Sequence, residues 1–140
     1  MNSNPMRAGI AKAGQLTVYG LFASQASRDP SMIALASGSL RRTYGELNDR
    51  VLRLASGLRD RGVVAGDRLA PLSENRPEYV EIELAAAALG AIVACQNWRL
   101  AAAEIQHCVN LVSPMLLIVS ERHSALAGKL VVDVPVFVLE

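Results

Sequence analysis

The sequence predicts a doubly wound α/β domain, a mainly parallel sheet with helices on both faces, and three observations lead there. Apolar runs of strand length alternate along the chain with segments whose apolar residues recur at helical spacing. Those runs, 115–119 above all, are apolar throughout, as strands covered on both faces are. Finally, 140 residues that are 51% hydrophobic and 19% charged suit one domain with a substantial core and are too few for two.

Residues 1–15 are polar and rich in small side chains, and are expected to form a flexible tail before an α/β domain over 16–140. Val18, Leu21, Phe22 and Ala26 then mark a helix that Asp29-Pro30 stops. Residues 32–36 read as a strand and 40–44 as its hairpin partner across Ser37-Gly38-Ser39. Thr43 and Glu46 stand in the S/T-x-x-E relation of a capping box, ahead of Leu47, Val51, Leu54, Ala55 and Leu58 on one helical face. Burying the three leucines and the valine gains roughly 6–12 kcal/mol gross. Ordering the backbone at about 1–2 kcal/mol per residue consumes it, so this helix must dock on a sheet.

Gly62 ends that helix and Gly66-Asp67 turns into a strand over 68–73. Pro77 opens the next helix, with Glu78 placed to complement its dipole. Its body is apolar on most sides, and Glu78, Glu81 and Glu83 read as a solvated acidic edge. A strand over 91–95 follows, then a helix over 101–112 with Ile105, Cys108, Val109 and Val112 inward, stopped by Pro114. After strand 115–119, a short helix near 122–127 precedes a last strand over 130–139 that contains Pro135.

A formal charge of +1 with basic and acidic residues interspersed gives no field for nucleic acid. The longest apolar run, 84–95, contains a glycine and is too short for a membrane span. The two cysteines, Cys95 and Cys108, have no motif spacing, so a reducing, cytoplasmic setting is expected. Neither cysteine forms a ligand pattern with His107 or His123, and no metal site is expected. The Gly62–Gly66 segment lacks the Lys and hydroxyl of a phosphate loop, Gly128-Lys129 is followed by Leu130 and lacks the hydroxyl, and no nucleophile elbow is present. Trp98, the one tryptophan, reads as a loop anchor. From the residues alone no catalytic group emerges.

Five short segments in order resemble the opening of the adenylate-forming, AMP-dependent synthetase/ligase family. They are Thr43-Tyr44-Gly45-Glu46-Leu47; Gly66-Asp67-Arg68-Leu69-Ala70; Asn75 with Glu78-Tyr79; Gly90-Ala91; and Asn97-Trp98-Arg99-Leu100 with Glu104-Ile105. The Asn97–Leu100 segment and Glu74-Asn75-Arg76-Pro77-Glu78 look most like fatty-acyl-CoA synthetases. Cys95 stands where the family has Pro and Gln96 where it often has an apolar residue, departures expected to alter packing alone. The resemblance implies the N-terminal portion of a ligase that joins a carboxylate to ATP as acyl-AMP and then to coenzyme A, with magnesium. It also implies that the lysine-bearing loop, the adenine and ribose contacts and the catalytic lysine lie elsewhere. This segment is therefore expected to hold no cofactor of its own and to be inactive alone. One position, Arg99, lies where the family can meet the phosphates of coenzyme A, and a guanidinium suits phosphate geometry.

The apolar ending, 131–140, reads as an interrupted domain whose partner is the remainder of the ligase. The alternatives are a small stand-alone binding or oligomerisation module and one chain of a split ligase. An open sheet edge is expected to invite a second copy.

Overall fold

Thr43 and Glu46 form the capping box that their spacing requires. In the computed structural model, which describes residues 16–140, Thr43 Oγ1 accepts from the Glu46 N–H at 3.2 Å and Glu46 Oε2 from the Thr43 N–H at 2.8 Å. The expected tail, 1–15, lies outside the described residues. The elements are α1 (Val18–Arg28), β1 (Ile33–Ser37), β2 (Leu40–Thr43), α2 (Tyr44–Asp60), β3 (Arg68–Leu72), α3 (Pro77–Leu89) and β4 (Ile92–Val93). Then come α4 (Ala102–Val112), β5 (Leu116–Ser120), a 3-10 turn (Glu121–His123), the single-turn α5 (Ser124–Ala127) and β6 (Val136–Leu139).

The strands β3, β4, β5 and β6 form a parallel sheet in the order β4-β3-β5-β6, while β1 and β2 pair antiparallel by themselves. Side-chain alternation along β3 and β5 splits the core in two. Leu69, Leu116 and Ile118 face Leu47, Val51, Ala55 and Leu58 of α2 and Ile82, Ala85 and Ala86 of α3, with Tyr19 and Phe22 of α1 packed outside. Ala70, Leu72, Leu117 and Val119 face the opposite way, onto Ile105 and Val109 of α4 and onto Leu130. This is the doubly wound layer that the uninterrupted apolar runs predict. The α2-to-β3 connection needs glycine at two points, Gly62 at φ +87° and Gly66 at φ +89°, where an L side chain is strained.

A proline inside a central strand normally leaves a gap in the ladder. Here the Ala94 and Gln96 N–H groups donate to the Leu69 and Pro71 carbonyls at 2.8 and 2.9 Å, a register that sets the Pro71 nitrogen opposite the Ala94 carbonyl. Proline has no hydrogen to give, and the Gln96 side-chain amide donates to that carbonyl instead, at 2.8 Å. The buried glutamine thereby satisfies the carbonyl that Pro71 leaves without a donor.

Three expectations are corrected. The last strand begins at Val136, because Pro135 cannot donate to a ladder; its carbonyl accepts the Leu117 N–H at 3.0 Å at the strand's entrance. Leu130, placed in that strand by the sequence, instead packs into the α4-side core. The strand expected over 91–95 shortens to Ile92–Val93, with one further bridge between Gln96 and Leu72. Glu81 is not part of a solvated edge: it is 4% exposed and binds Arg42 from β2 and Arg50 from α2.

Candidate ligand site at the carboxyl ends of the strands

In open α/β sheets a crevice opens at the carboxyl ends of adjacent strands whose connections leave in opposite directions. The strand order places that point between β3, which leads through α3 to β4, and β5, which leads through α5 to β6. The residues that emerge there are Ser73 and Glu74 after β3, and Ser120 with the 121–123 turn at the end of β5. Beside them, Asn97, Trp98 and Arg99 follow the Gln96 bridge. Asn97 Oδ1 accepts the Arg99 N–H at 3.1 Å and fixes the local turn.

These side chains meet. Ser120 Oγ, fully buried, donates to Glu74 Oε2 at 2.7 Å, tying the ends of β3 and β5 together. His123 Nε2 lies 3.2 Å from the same Glu74 oxygen, yet out of hydrogen-bonding alignment with it, so this buried nitrogen has no bonded partner. The His123 ring stacks on Trp98 with centroids 5.1 Å apart and planes at 21°. The Arg99 guanidinium carbon sits 4.0 Å from the Trp98 ring centroid and that of Arg122 sits 5.7 Å from it, both within cation–π range. The donated Ser120 hydroxyl holds the Glu74 carboxyl below the usual carboxylate range. The residue's own backbone and the charges of His123 and Arg122 add to this, while burial opposes it. Glu74 is therefore ionised at neutral pH.

The outcome is a half-buried indole with two exposed guanidiniums against it and a carboxylate–imidazole pair beneath. Among the described residues neither Arg99 nor Arg122 has a carboxylate within 4 Å, so their charge is available to an anion. Arg99, the one ligand contact expected from the sequence, lies at these strand ends, and Trp98 anchors its loop as expected, packed against the α4-side core. Sequence reasoning missed Glu74, Ser120, Arg122 and the role of His123. The available signal was positional: Ser73-Glu74 and Ser120 each follow directly on an apolar strand run.

A larger concavity of about 460 Å³ runs between α2, α3 and β6, floored by Leu54, Leu58, Ile82 and Phe137. Its buried acid, Glu81, is already committed to Arg42 and Arg50, and Arg61 lies over the Phe137 ring. Besides its apolar floor it presents Arg53, which has no carboxylate within 4 Å among the described residues. Elsewhere, burial and the adjoining Cys95 thiol push the Tyr79 phenol above its ordinary value, and it stays protonated. No helix among the described residues is long and apolar enough to cross a membrane.

Comparison with known proteins agrees with this fold. Residues 22–138 match the family described as AMP-binding enzyme. The chain is 37% identical over 115 residues to a feruloyl-CoA synthase of Amycolatopsis sp, covering 79% of this chain and 23% of that protein. It is 36% identical over 95 residues to a 3-oxocholest-4-en-26-oate–CoA ligase of Rhodococcus rhodochrous, covering 68% of this chain and 17% of that one. Among solved structures, a long-chain-fatty-acid CoA ligase of Rhodopseudomonas palustris superposes with a TM-score of 0.85 at 29% identity, over 89% of this chain and 33% of that chain. The chain thus spans about a quarter or less of these curated relatives.

Proposed function

We propose, since the chain belongs to the AMP-binding enzyme family, that it forms the N-terminal layer of an ATP-dependent acyl-CoA synthetase. In that enzyme a carboxylate oxygen attacks the α-phosphorus of ATP and expels pyrophosphate, leaving acyl-AMP. The thiol of coenzyme A then attacks the acyl carbon and expels AMP. ATP, magnesium and coenzyme A belong to the complete enzyme, and the groups that act on the α-phosphorus come from the remainder of the ligase, the partner of this layer. What this chain's own residues contribute is a rigid sheet and a cationic lip at its carboxyl end.

Arg99 is the contact for the nucleotide phosphates of coenzyme A. The observation that carries this reading is an exposed guanidinium held 4.0 Å from the Trp98 ring centroid at the strand ends, with Arg122 as a second cation. A guanidinium held against an aromatic ring is oriented before the phosphate arrives and loses less freedom on binding. In a ligase carrying these residues, Arg99→Ala raises KM for coenzyme A about tenfold, as loss of one charged hydrogen bond does. ATP–pyrophosphate exchange driven by the acid stays unchanged. An unaltered KM for coenzyme A removes Arg99 from the site.

Self-association of the isolated chain through β6 follows from the same layer. Among the described residues β6 ends the sheet with one edge unpaired, and Val136 and Val138 are 45% and 52% exposed.

A further inference from the structure

We propose that His123 is a positioning residue for Arg99: seated against Glu74, its imidazole fixes the Trp98 indole, and in its charged form it tightens the site's hold on a polyphosphate. This rests on the phosphate-binding reading of Arg99.

The first observation is chemical. His123 is 8% exposed and its Nε2 has no hydrogen-bond partner. A phenylalanine would stack on Trp98 equally well without burying an unpaired nitrogen, so stacking alone does not explain a histidine here. The second is geometric: that nitrogen lies 3.2 Å from a carboxylate oxygen, and the carboxylate is kept ionised chiefly by Ser120. A proton on Nε2 turns an unsatisfied contact into an ion pair, joining the ends of β3 and β5 to the loop after β4. The third is topological. Trp98 touches both cations and the imidazole, so its orientation sets where Arg99 sits.

The charged groups around His123 fix the sign of its effect. Glu74 faces it from the loop after β3, Glu121 and Arg122 flank it in its own turn, Ser120 precedes it, and Trp98 and Arg99 approach from the loop after β4. An added positive charge close to Arg99 strengthens attraction for a polyanion. Affinity for a polyphosphate is therefore about twofold higher when His123 carries a proton.

Trp98 is the sole tryptophan of the 140-residue chain, so its fluorescence reports on this site alone. The test follows that emission against pH and titrates adenosine 3′,5′-bisphosphate into the wild-type chain and into His123→Phe, His123→Ala, Glu74→Gln and Arg99→Ala. In the wild type, emission falls on acidification because a stacked imidazolium quenches indole; His123→Phe makes the profile flat and Glu74→Gln, by removing the ion-pair partner, reduces the response. His123→Phe keeps the alkaline affinity but loses the gain in acid, whereas His123→Ala weakens binding about tenfold at every pH by releasing the indole. A wild-type emission indifferent to pH, or His123→Ala binding the nucleotide like the wild type, overturns the proposal. Failure of the Arg99 reading looks different: Arg99→Ala binds the nucleotide normally, or the wild type does not bind it, and the pH profile of emission then decides the role of His123 by itself.

Discussion

Replacing Glu81 with glutamine tests whether the ion cluster beneath α3 holds the α2–α3 layer together. The carboxylate accepts hydrogen bonds from Arg50 Nε at 2.7 Å and Arg50 NH2 at 3.0 Å, and another from Arg42 NH1. It also holds the Arg50 guanidinium above its ordinary value, first through the hydrogen bond to its side chain. Removing one partner of a fully buried ion pair costs about 3–5 kcal/mol. The side chains of Arg42 and Arg50 are 17% and 38% exposed, so both cations regain part of their hydration when the carboxylate is lost. The expected loss is accordingly about 2–3 kcal/mol, a large part of the 5–15 kcal/mol typical of a domain. With a urea m-value of about 1.5 kcal/mol/M, the unfolding midpoint followed by far-UV circular dichroism falls by about 1.5 M. A loss below about 0.5 kcal/mol would refute the reasoning, because it would place Glu81 among surface charges whose substitution is nearly neutral.

Two further outcomes follow from the site and from the sheet. Ser120→Ala removes the main cause of the lowered Glu74 carboxyl. The stability this carboxyl contributes is present above its unfolded value, near the ordinary 4.5, and is lost as pH falls through the lower folded value. Urea midpoints of wild type and Ser120→Ala measured from neutral pH downward therefore converge in acid, and a constant gap would contradict the linkage. The exposed β6 edge predicts a dimer or larger species of the isolated chain, and a monomeric mass by light scattering across a concentration series would count against it.

Much of the fold was legible because its signals are local. The Thr43–Glu46 capping box lies within one helical turn, and the uninterrupted apolar runs announce strands covered on both faces before any pairing is known. Errors arose where a distant partner decides the outcome. Glu81 looks like a solvated helix charge until Arg42 and Arg50, 39 and 31 residues away, are brought against it. Pro135 looks like a residue within a strand until β5 presents a donor for its carbonyl but no acceptor it could serve. The site divides in the same way. Arg99 was singled out through a resemblance, whereas Glu74 and Ser120 are 46 residues apart and acquire meaning only when β3 and β5 lie side by side. Gln96 is intermediate: its departure from the family pattern was visible, but its reason, the hydrogen missing from Pro71, required the register.

The central claim is that these residues form a scaffold and a coenzyme A lip, while the chemistry at the α-phosphorus is supplied by the rest of a ligase. ATP–pyrophosphate exchange measures that directly, on the 140-residue chain alone with a panel of carboxylic acids and magnesium. The account predicts no exchange above the protein-free blank. Acid-dependent exchange by this chain alone would contradict it.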